Sequence, residues 1–76
     1  MKEKLVELVM EIYGNNIPVN DDTSLSADLS FDSMQYIQLV VSIEVEYNFE
    51  FSEEHLDMEI LDRLGNIDNI IDLYSS

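Results

Sequence analysis

Residues 32–47 read Asp32-Ser33-Met34-Gln35-Tyr36-Ile37-Gln38-Leu39-Val40-Val41-Ser42-Ile43-Glu44-Val45-Glu46-Tyr47. Because this stretch has no glycine or proline and opens with aspartate, a favourable N-cap residue, it predicts a helix of about four turns. Its β-branched residues would also suit a strand, but the length and the cap favour helix. One apolar stripe is predicted to face the core: Tyr36, Leu39, Ile43 and Tyr47. A second is predicted to be partly exposed and available to a partner: Met34, Ile37 and Val41.

Two amphipathic helices flank this stretch, and both repeat apolar residues at i, i+3, i+4 and i+7. The first is predicted to end near Tyr13, before Gly14, and its apolar residues are Leu5, Leu8, Val9 and Ile12. The last is predicted to be capped by Asn66, and its apolar residues are Ile67, Ile70, Ile71 and Tyr74.

The segments between these helices are predicted to be mostly irregular. Residues 14–32 form a long polar loop, and Leu25 and Leu29 are expected to anchor it in the core. A short helix is predicted to open at Ser52, whereas residues 58–65 are expected to be irregular. The sequence thus predicts an all-α fold, a small four-helix bundle with three main helices, one short helix and a long first loop, as a single domain over residues 1–76.

The composition excludes several classes of function. The chain has 76 residues, with 3 Lys and Arg against 17 Asp and Glu, so its formal net charge is −14. A chain this short builds one modest core and no large catalytic cleft, which disfavours an autonomous enzyme. No Lys or Arg lies between Leu5 and Asp62, so binding to nucleic acid is close to excluded. The partners are instead expected to present basic surfaces.

Several other classes of function require residues or segments that this sequence does not contain. Without cysteine there is no disulfide, thiol nucleophile or thiolate metal site. The single histidine, His55, is interpreted as a partly exposed residue, and the acidic pairs Asp21-Asp22 and Glu53-Glu54 as solvated surface rather than a metal site. Acidic residues interrupt the N-terminal apolar positions, unlike in a targeting peptide, and no apolar run approaches the roughly 20 residues of a membrane span. A cytoplasmic protein is expected.

One serine is of interest because of its position. Ser33 follows Asp32 at the beginning of the predicted central helix, where free backbone N–H groups and the helix dipole favour an anion such as a phosphodiester. As a nucleophile of its own Ser33 is poor, because no base lies near it in the sequence. An Asp-Ser pair taken alone is more often a helix cap and a first-turn residue. The pair becomes informative through the residues around it.

These surrounding residues resemble the phosphopantetheine attachment site of acyl and peptidyl carrier proteins. That site usually reads Leu-Gly-x-Asp-Ser-Leu-x-x-Val-x-Leu, and this chain reads Leu29-Ser30-Phe31-Asp32-Ser33-Met34-Gln35-Tyr36-Ile37-Gln38-Leu39. Residues 43–51 are similar to the end of the family's second helix, usually Leu-Glu-x-Glu-Phe-Gly-Ile-x-Ile, and residues 66–74 to its last helix. The resemblance covers nearly the whole chain, including its length and acidity.

The resemblance implies a carrier that is not itself an enzyme. Ser33 would carry covalent phosphopantetheine, and acyl or aminoacyl cargo would be held as a thioester on that group. Asp32 would flank the attachment site and take part in recognition by the phosphopantetheinyl transferase. Enzymes that load, extend or unload the cargo would present basic or apolar patches. These patches would contact four positions of this chain: Met34, Ile37, Val41 and Glu44. The protein is expected to be a monomer.

Departures from the family pattern indicate which kind of pathway the carrier serves. Ser30 replaces the usual glycine, so the loop before Ser33 is expected to adopt a positive φ less freely. Gln35 and Gln38 replace residues that are commonly acidic in fatty-acid carriers, and Val45 replaces another. We therefore expect a free-standing carrier of polyketide, nonribosomal-peptide or related specialised biosynthesis.

The sequence leaves alternatives open. Within the carrier class these are primary fatty-acid synthesis and D-alanyl transfer in cell-wall modification, because the cargo is set by loading enzymes outside this chain. Outside that class, the second apolar stripe would also suit an unmodified acidic adaptor that only binds proteins. The acidic surface would also suit a calcium buffer.

The high negative charge leads to a prediction about stability. Added salt or divalent ions are expected to stabilise the fold, because they screen the repulsion among its 17 carboxylates. The screening length falls from about 30 Å at 0.01 M ionic strength to about 10 Å at 0.1 M, so the melting temperature measured by circular dichroism should rise over this range. A melting temperature independent of ionic strength would contradict the prediction.

Overall fold

The structure, a computed structural model, describes residues 1–75. Within these residues it contains the α-helices α1 (Glu3–Tyr13), α2 (Leu25–Asp28), α3 (Ser33–Tyr47), α4 (Met58–Leu61) and α5 (Leu64–Ser75), and a 3-10 turn at Glu53–His55. Two of the described residues, Ser24 and Arg63, form an isolated antiparallel β-bridge. None of the helices in this part of the chain has the length and apolarity needed to cross a bilayer. The predicted all-α fold with three long helices is confirmed.

α1 ends, and α3 begins and ends, where the sequence predicted, because local signals define these three helix termini. α1 stops at Gly14, which adopts φ 86° and donates its N–H to the Met10 carbonyl at 2.8 Å. At the start of α3 the Asp32 carboxylate accepts the Gln35 N–H, and the Gln35 side-chain oxygen accepts the Asp32 N–H, both at 2.9 Å. This capping box satisfies two backbone donors. α3 ends where Asn48 adopts a left-handed conformation with φ 57°.

The long first loop contains a helix, α2, that the sequence did not predict. The Ser24 hydroxyl accepts the Ala27 N–H at 3.1 Å, and the Asp28 carboxylate accepts the Ser24 N–H at 2.8 Å. Leu25 and Leu29 are buried, so their predicted role as core anchors is confirmed. Four residues are too few to show a helical period in the sequence, and such a short helix depends on tertiary contacts for its stability.

The prediction that residues 58–65 are irregular is wrong. Asp57 caps α4 by accepting the Glu59 N–H at 2.9 Å. The predicted cap at Asn66 is also wrong, because α5 begins two residues earlier. Asn66 lies inside α5 and donates its side-chain N–H to an α4 carbonyl, that of Ile60, at 3.0 Å. Its hydrogen bond joins two helices, which the local sequence does not reveal.

Gly65 obscured the start of α5 in the sequence, because glycine is unfavourable within helices. In the fold its N–H donates to the Asp21 carbonyl at 3.0 Å, and a Cβ at this position would lie 2.9 Å from that oxygen. The neighbouring Leu64 N–H donates to the Thr23 carbonyl at 3.2 Å. The first turn of α5 therefore packs closely against the backbone that precedes α2, and a residue without a side chain suits this approach.

The core receives apolar side chains from every helix. The predicted inward stripe of α3 is buried through Tyr36, Leu39 and Ile43, while Tyr47 is half-buried. The other buried apolar residues are Leu5, Val9, Met10, Leu25, Leu29, Phe31, Phe51, Leu61, Leu64, Ile67, Ile70 and Ile71. Burial of each large apolar side chain contributes about 1.5–3 kcal/mol, so this core is the main source of stability for a chain with so much negative charge.

Cations near the N-terminus connect α1 to the other long helices. Lys2 pairs with two carboxylates of α5, Asp68 at 3.4 Å and Asp72. Lys4 lies 3.8 Å from Glu46 of α3. These pairs reduce the repulsion among acidic residues where the three helices meet, although exposed pairs contribute at most about 1 kcal/mol each.

Asp62, between α4 and α5, connects these helices to α2 and α3. Its backbone carbonyl accepts the Leu25 N–H at 2.7 Å, and its carboxylate accepts the Ser24 hydroxyl at 2.5 Å, the Ser26 N–H at 2.9 Å and the Tyr36 hydroxyl. Burial alone would raise the pKa of the Asp62 carboxyl, but hydrogen bonds to the charged form outweigh it and hold the pKa well below its usual range. Burial, together with the bond to Asp62, raises the pKa of Tyr36 to about 12.

We predict that Asp62→Asn lowers the free energy of unfolding by about 2 kcal/mol at neutral pH, because a hydrogen bond to a charged acceptor contributes about 1.5–3 kcal/mol. A carboxylate with a lowered pKa stabilises the fold above its ordinary pKa of about 4, and this contribution is lost as the pH falls below that value. The difference between wild type and variant in urea unfolding should therefore shrink when the pH is lowered from about 7 to about 3.

The matched control is Glu59→Gln, which removes one exposed negative charge from α4. It is expected to change the free energy of unfolding by no more than about 0.5 kcal/mol. If the two substitutions had equal effects, or if the effect of Asp62→Asn did not depend on pH, the described role of the Asp62 carboxylate would be wrong.

Candidate functional site

Ser33 is the first residue of α3, and its side chain is exposed. Asp32 directly before it is also exposed, and its carboxylate caps the helix by accepting the Gln35 N–H. The first turn of a helix concentrates backbone donors and the positive end of the helix dipole. The Ser33 hydroxyl is therefore accessible to another macromolecule at a position that tolerates the charge of a phosphodiester.

The residues before Ser33 are anchored on both sides of an unfavourable backbone conformation. Leu29 and Phe31 are buried, while Ser30 between them is exposed and adopts φ 56°. Phe31 donates its N–H to the Leu25 carbonyl at 2.9 Å. The sequence led us to expect that this loop would adopt a positive φ less freely, and the structure shows that it nevertheless does so at Ser30. Ser30 adopts the left-handed conformation, at a cost of roughly 1–2 kcal/mol for a residue with a Cβ, because its neighbours are held in the core.

The predicted outward stripe of α3 is exposed along its length. Met34 is 63% exposed, Ile37 57% and Val41 51%. Val45 continues the line by one further turn and is 78% exposed. Sequence reasoning treated Val45 only as a lost charge, although its spacing of four from Val41 was a signal that it belongs to the stripe. An apolar surface about three turns long therefore starts beside Ser33.

Glu44 has a structural role besides its predicted contact with partners. Its carboxylate accepts the Phe51 N–H at 3.0 Å, and its backbone carbonyl accepts the Asn48 N–H. Both bonds fasten the turn that follows α3. The partner contact at Glu44 stays a prediction, and it would have to use the part of the carboxylate that the Phe51 bond leaves free.

A cavity of about 330 Å³ opens between α3 and residues 56–61, and we call it the Ser33 groove because Ser33 is among its lining residues. Its remaining lining residues are Tyr36, Ile37, Val40, Val41, Leu56, Met58 and Leu61. Of the predicted partner residues, Ile37 and Val41 lie in the groove, while Met34 and Glu44 lie outside it. Sequence reasoning missed Leu56 and Met58, whose one signal was that they are apolar residues in an acidic segment.

An aromatic cluster fastens the segment before Leu56 to α5. Phe49 stacks on Tyr74 with ring centroids 4.5 Å apart, and the His55 ring meets Tyr74 edge-on at 5.9 Å. The Tyr74 hydroxyl accepts the Ser52 N–H at 3.0 Å and lies 3.1 Å from His55 Nδ1. His55 is thus a half-buried residue in a structural cluster, as the sequence predicted for its exposure. The cluster fixes the side of the groove that lies opposite α3.

The acidic pairs Asp21-Asp22 and Glu53-Glu54 are exposed, in agreement with their interpretation as surface residues. Within the part of the chain that the structure describes, no three His, Cys, Asp or Glu side chains are placed to hold a metal ion.

The arrangement around Ser33 fits the covalent group implied by the sequence resemblance. A helix N-terminus favours the negative charge of a phosphodiester, and the groove that Ser33 lines offers an apolar surface to a linear chain. When attached, phosphopantetheine supplies a terminal thiol, which this cysteine-free chain lacks. The residues of the groove would hold such a chain by burial of apolar surface rather than by polar contacts.

Comparison with known proteins agrees with this geometry. Residues 3–73 match the family described as phosphopantetheine attachment site. The chain is similar to an acyl carrier protein of Chlamydia caviae, with 37% identity over 68 residues that cover 88% of this chain and 86% of the relative. It is also similar to an acyl carrier protein of Coprothermobacter proteolyticus, with 25% identity over 80 residues that cover 99% of this chain and 92% of the relative. The chain therefore belongs to the family of non-catalytic carrier proteins to which phosphopantetheine is covalently attached.

Proposed function

We propose that Ser33 is the residue that carries phosphopantetheine, and that the protein holds acyl groups as thioesters on it. The observation that carries this proposal is the exposed Ser33 hydroxyl at the N-terminus of α3, at the start of an apolar groove. Asp32 is proposed to assist recognition by the phosphopantetheinyl transferase, because it is exposed and directly precedes Ser33 in the chain. The similarity to two acyl carrier proteins supports acyl groups as the cargo.

The pathway is proposed from the surface chemistry of α3. Gln35 is engaged in the capping box, Gln38 is exposed and uncharged, and Val45 adds an exposed apolar side chain. This relatively apolar face supports a free-standing carrier in polyketide, nonribosomal-peptide or related specialised biosynthesis. A carrier of primary fatty-acid synthesis is the second candidate, because the similarity to two acyl carrier proteins fits acyl cargo in either pathway.

The outward stripe of α3 is the proposed docking surface for the transferase and for the enzymes that load, extend and unload the cargo. Its proposed contacts are the apolar Met34, Ile37 and Val41, which Val45 extends by one turn, and the carboxylate of Glu44. Acidic surroundings would steer partners with basic patches and raise the association rate, while a small interface would keep dissociation fast. Such contacts suit a carrier that must visit several enzymes in turn.

The proposed carrier is a monomer with a single domain over residues 1–76. A net charge of −14 opposes association between two copies of the chain. The cysteine-free composition is compatible with the reducing cytoplasm, which is the proposed location.

Attachment at Ser33 is tested by mass. Coexpression with a broad-specificity phosphopantetheinyl transferase is expected to add one phosphopantetheine to the wild type and none to Ser33→Ala, as measured by intact-protein mass spectrometry. Ser42→Ala, on the same helix, is the matched control and should keep the mass gain. The proposal falls if the wild type gains no mass, or if Ser33→Ala gains as much as the wild type.

The docking surface is tested by Ile37→Asp, which places a charge in the middle of the outward stripe. Because Ile37 is exposed, the fold should persist, and KM for the transferase is expected to rise about tenfold, equivalent to about 1.4 kcal/mol. Leu73→Asp, at an exposed apolar residue of α5, is the control and should leave KM unchanged. If cells tolerated Ser33→Ala fully but not Ile37→Asp, the protein would be an adaptor and not a carrier.

A further inference from the structure

The segment that leads into Ser33 belongs to a closed ring of contacts, which starts at Asp62. The Asp62 carbonyl accepts the Leu25 N–H at 2.7 Å, and the Asp62 carboxylate accepts the Ser26 N–H at 2.9 Å. The Leu25 carbonyl in turn accepts the Phe31 N–H at 2.9 Å. Through α2, the junction of α4 and α5 thereby holds the backbone two residues before Ser33.

Tyr36 closes the ring from α3. Its aromatic ring meets the Phe31 ring edge-on, with centroids 5.9 Å apart and an angle of 81° between the planes. Its hydroxyl donates to the same Asp62 carboxylate that holds α2. Tyr36 lies one helical turn after Ser33, and both residues line the Ser33 groove. Residues 29–33 are therefore enclosed by contacts that begin and end at Asp62.

Residues 29–33 need the restraint that these contacts supply, because their backbone conformation is unfavourable. Ser30 adopts φ 56°, which is unfavourable for a residue with a Cβ. Ser30 and Asp32 are both exposed, so their own burial does not stabilise the conformation. Stabilisation comes from the buried Leu29 and Phe31 and from the ring through Asp62. A weaker ring should increase the fraction of molecules in which this segment opens locally.

We propose that Asp62 and Tyr36 are positioning residues for the modification of Ser33, because their hydrogen bond keeps residues 29–33 in the conformation that the phosphopantetheinyl transferase binds. This inference rests on the proposed attachment at Ser33. Both residues act through the backbone that presents the hydroxyl, and not by contact with the reacting atoms. When only a fraction of molecules is competent to bind, the apparent dissociation constant rises by the inverse of that fraction, while turnover of the bound complex is unchanged.

The test measures modification of the full chain by a transferase with coenzyme A as the donor, at a temperature where circular dichroism shows that every variant is folded. Tyr36→Phe and Asp62→Asn are each expected to raise KM about fivefold and to leave kcat within about twofold. The double variant should raise KM no further than Asp62→Asn alone, because both substitutions act on the same hydrogen bond. A purely structural role would lower the melting temperature and leave KM unchanged.

The matched control is Tyr47→Phe, which removes a hydroxyl from the other end of α3. This hydroxyl is buried and takes no part in the ring of contacts through Asp62. Its removal is expected to change neither KM nor kcat. The control therefore separates the loss of the Asp62 bond from the general effect of replacing tyrosine by phenylalanine on this helix.

Amide hydrogen exchange, followed by NMR, gives a readout that needs no transferase. In Tyr36→Phe the Phe31 amide is expected to lose most of its protection against exchange, because a fivefold rise in KM requires the segment to be open in about four fifths of the molecules, which breaks the bond to the Leu25 carbonyl. The Gly14 amide, which bonds to the Met10 carbonyl at the end of α1, should keep its rate. Equal rates at Phe31 in wild type and variant would overturn the inference.

The outcomes also separate this inference from the proposed function. If the wild type is modified and both Tyr36→Phe and Asp62→Asn keep the wild-type KM, the positioning role is wrong and Ser33 remains the attachment site. If the wild type is not modified at all, both proposals are wrong. Should Asp62→Asn not fold, Tyr36→Phe decides the question alone, because it keeps the aromatic ring that packs on Phe31.

Discussion

A carboxylate that is partly shielded from water needs hydrogen-bond donors, and Asp62 obtains them from residues 26 to 38 positions earlier in the chain. Ser24 and Ser26 come from the region of α2 and Tyr36 from α3, while Asp62 itself joins α4 to α5. Satisfying this one charge therefore brings four helices together at the end of the molecule where Ser33 lies. The position of α2, the backbone that leads into α3 and the start of the groove all depend on it.

The distribution of charge complements this arrangement. Lys2 and Lys4 hold α1 to α5 and α3, and Arg63 lies 3.6 Å from Asp22 in front of α2. All three cations of the chain are thus engaged with carboxylates, and none belongs to α3. The surface around Ser33 is left apolar along the outward stripe and acidic beyond it. That combination suits the proposed partners, which would bury the stripe and bring basic groups to its margins.

The features of the site that the sequence predicted are those that depend on residues close together in the chain. The Asp32 cap, the position of Ser33 and the exposed stripe all followed from residues within a few positions of one another. Val45 could have been added by the same spacing. Leu56 and Met58 could not be assigned to the groove, because they reach Ser33 only through the packing of a distant segment. The left-handed Ser30 was likewise hidden, since its favourable contacts lie in the core and not in its own sequence.

Local sequence was sufficient for the end of α1, for the bounds and the two stripes of α3, and for the resemblance of its first turn to a phosphopantetheine site, because caps and helical periods act over one or two turns. It was insufficient for α2, α4 and the true start of α5. These elements are short or contain glycine, and they are stabilised by hydrogen bonds to residues outside the helix itself. The fold supplied those partners: Asp62 for α2, Asn66 for α4 and the backbone of Asp21 for the first turn of α5.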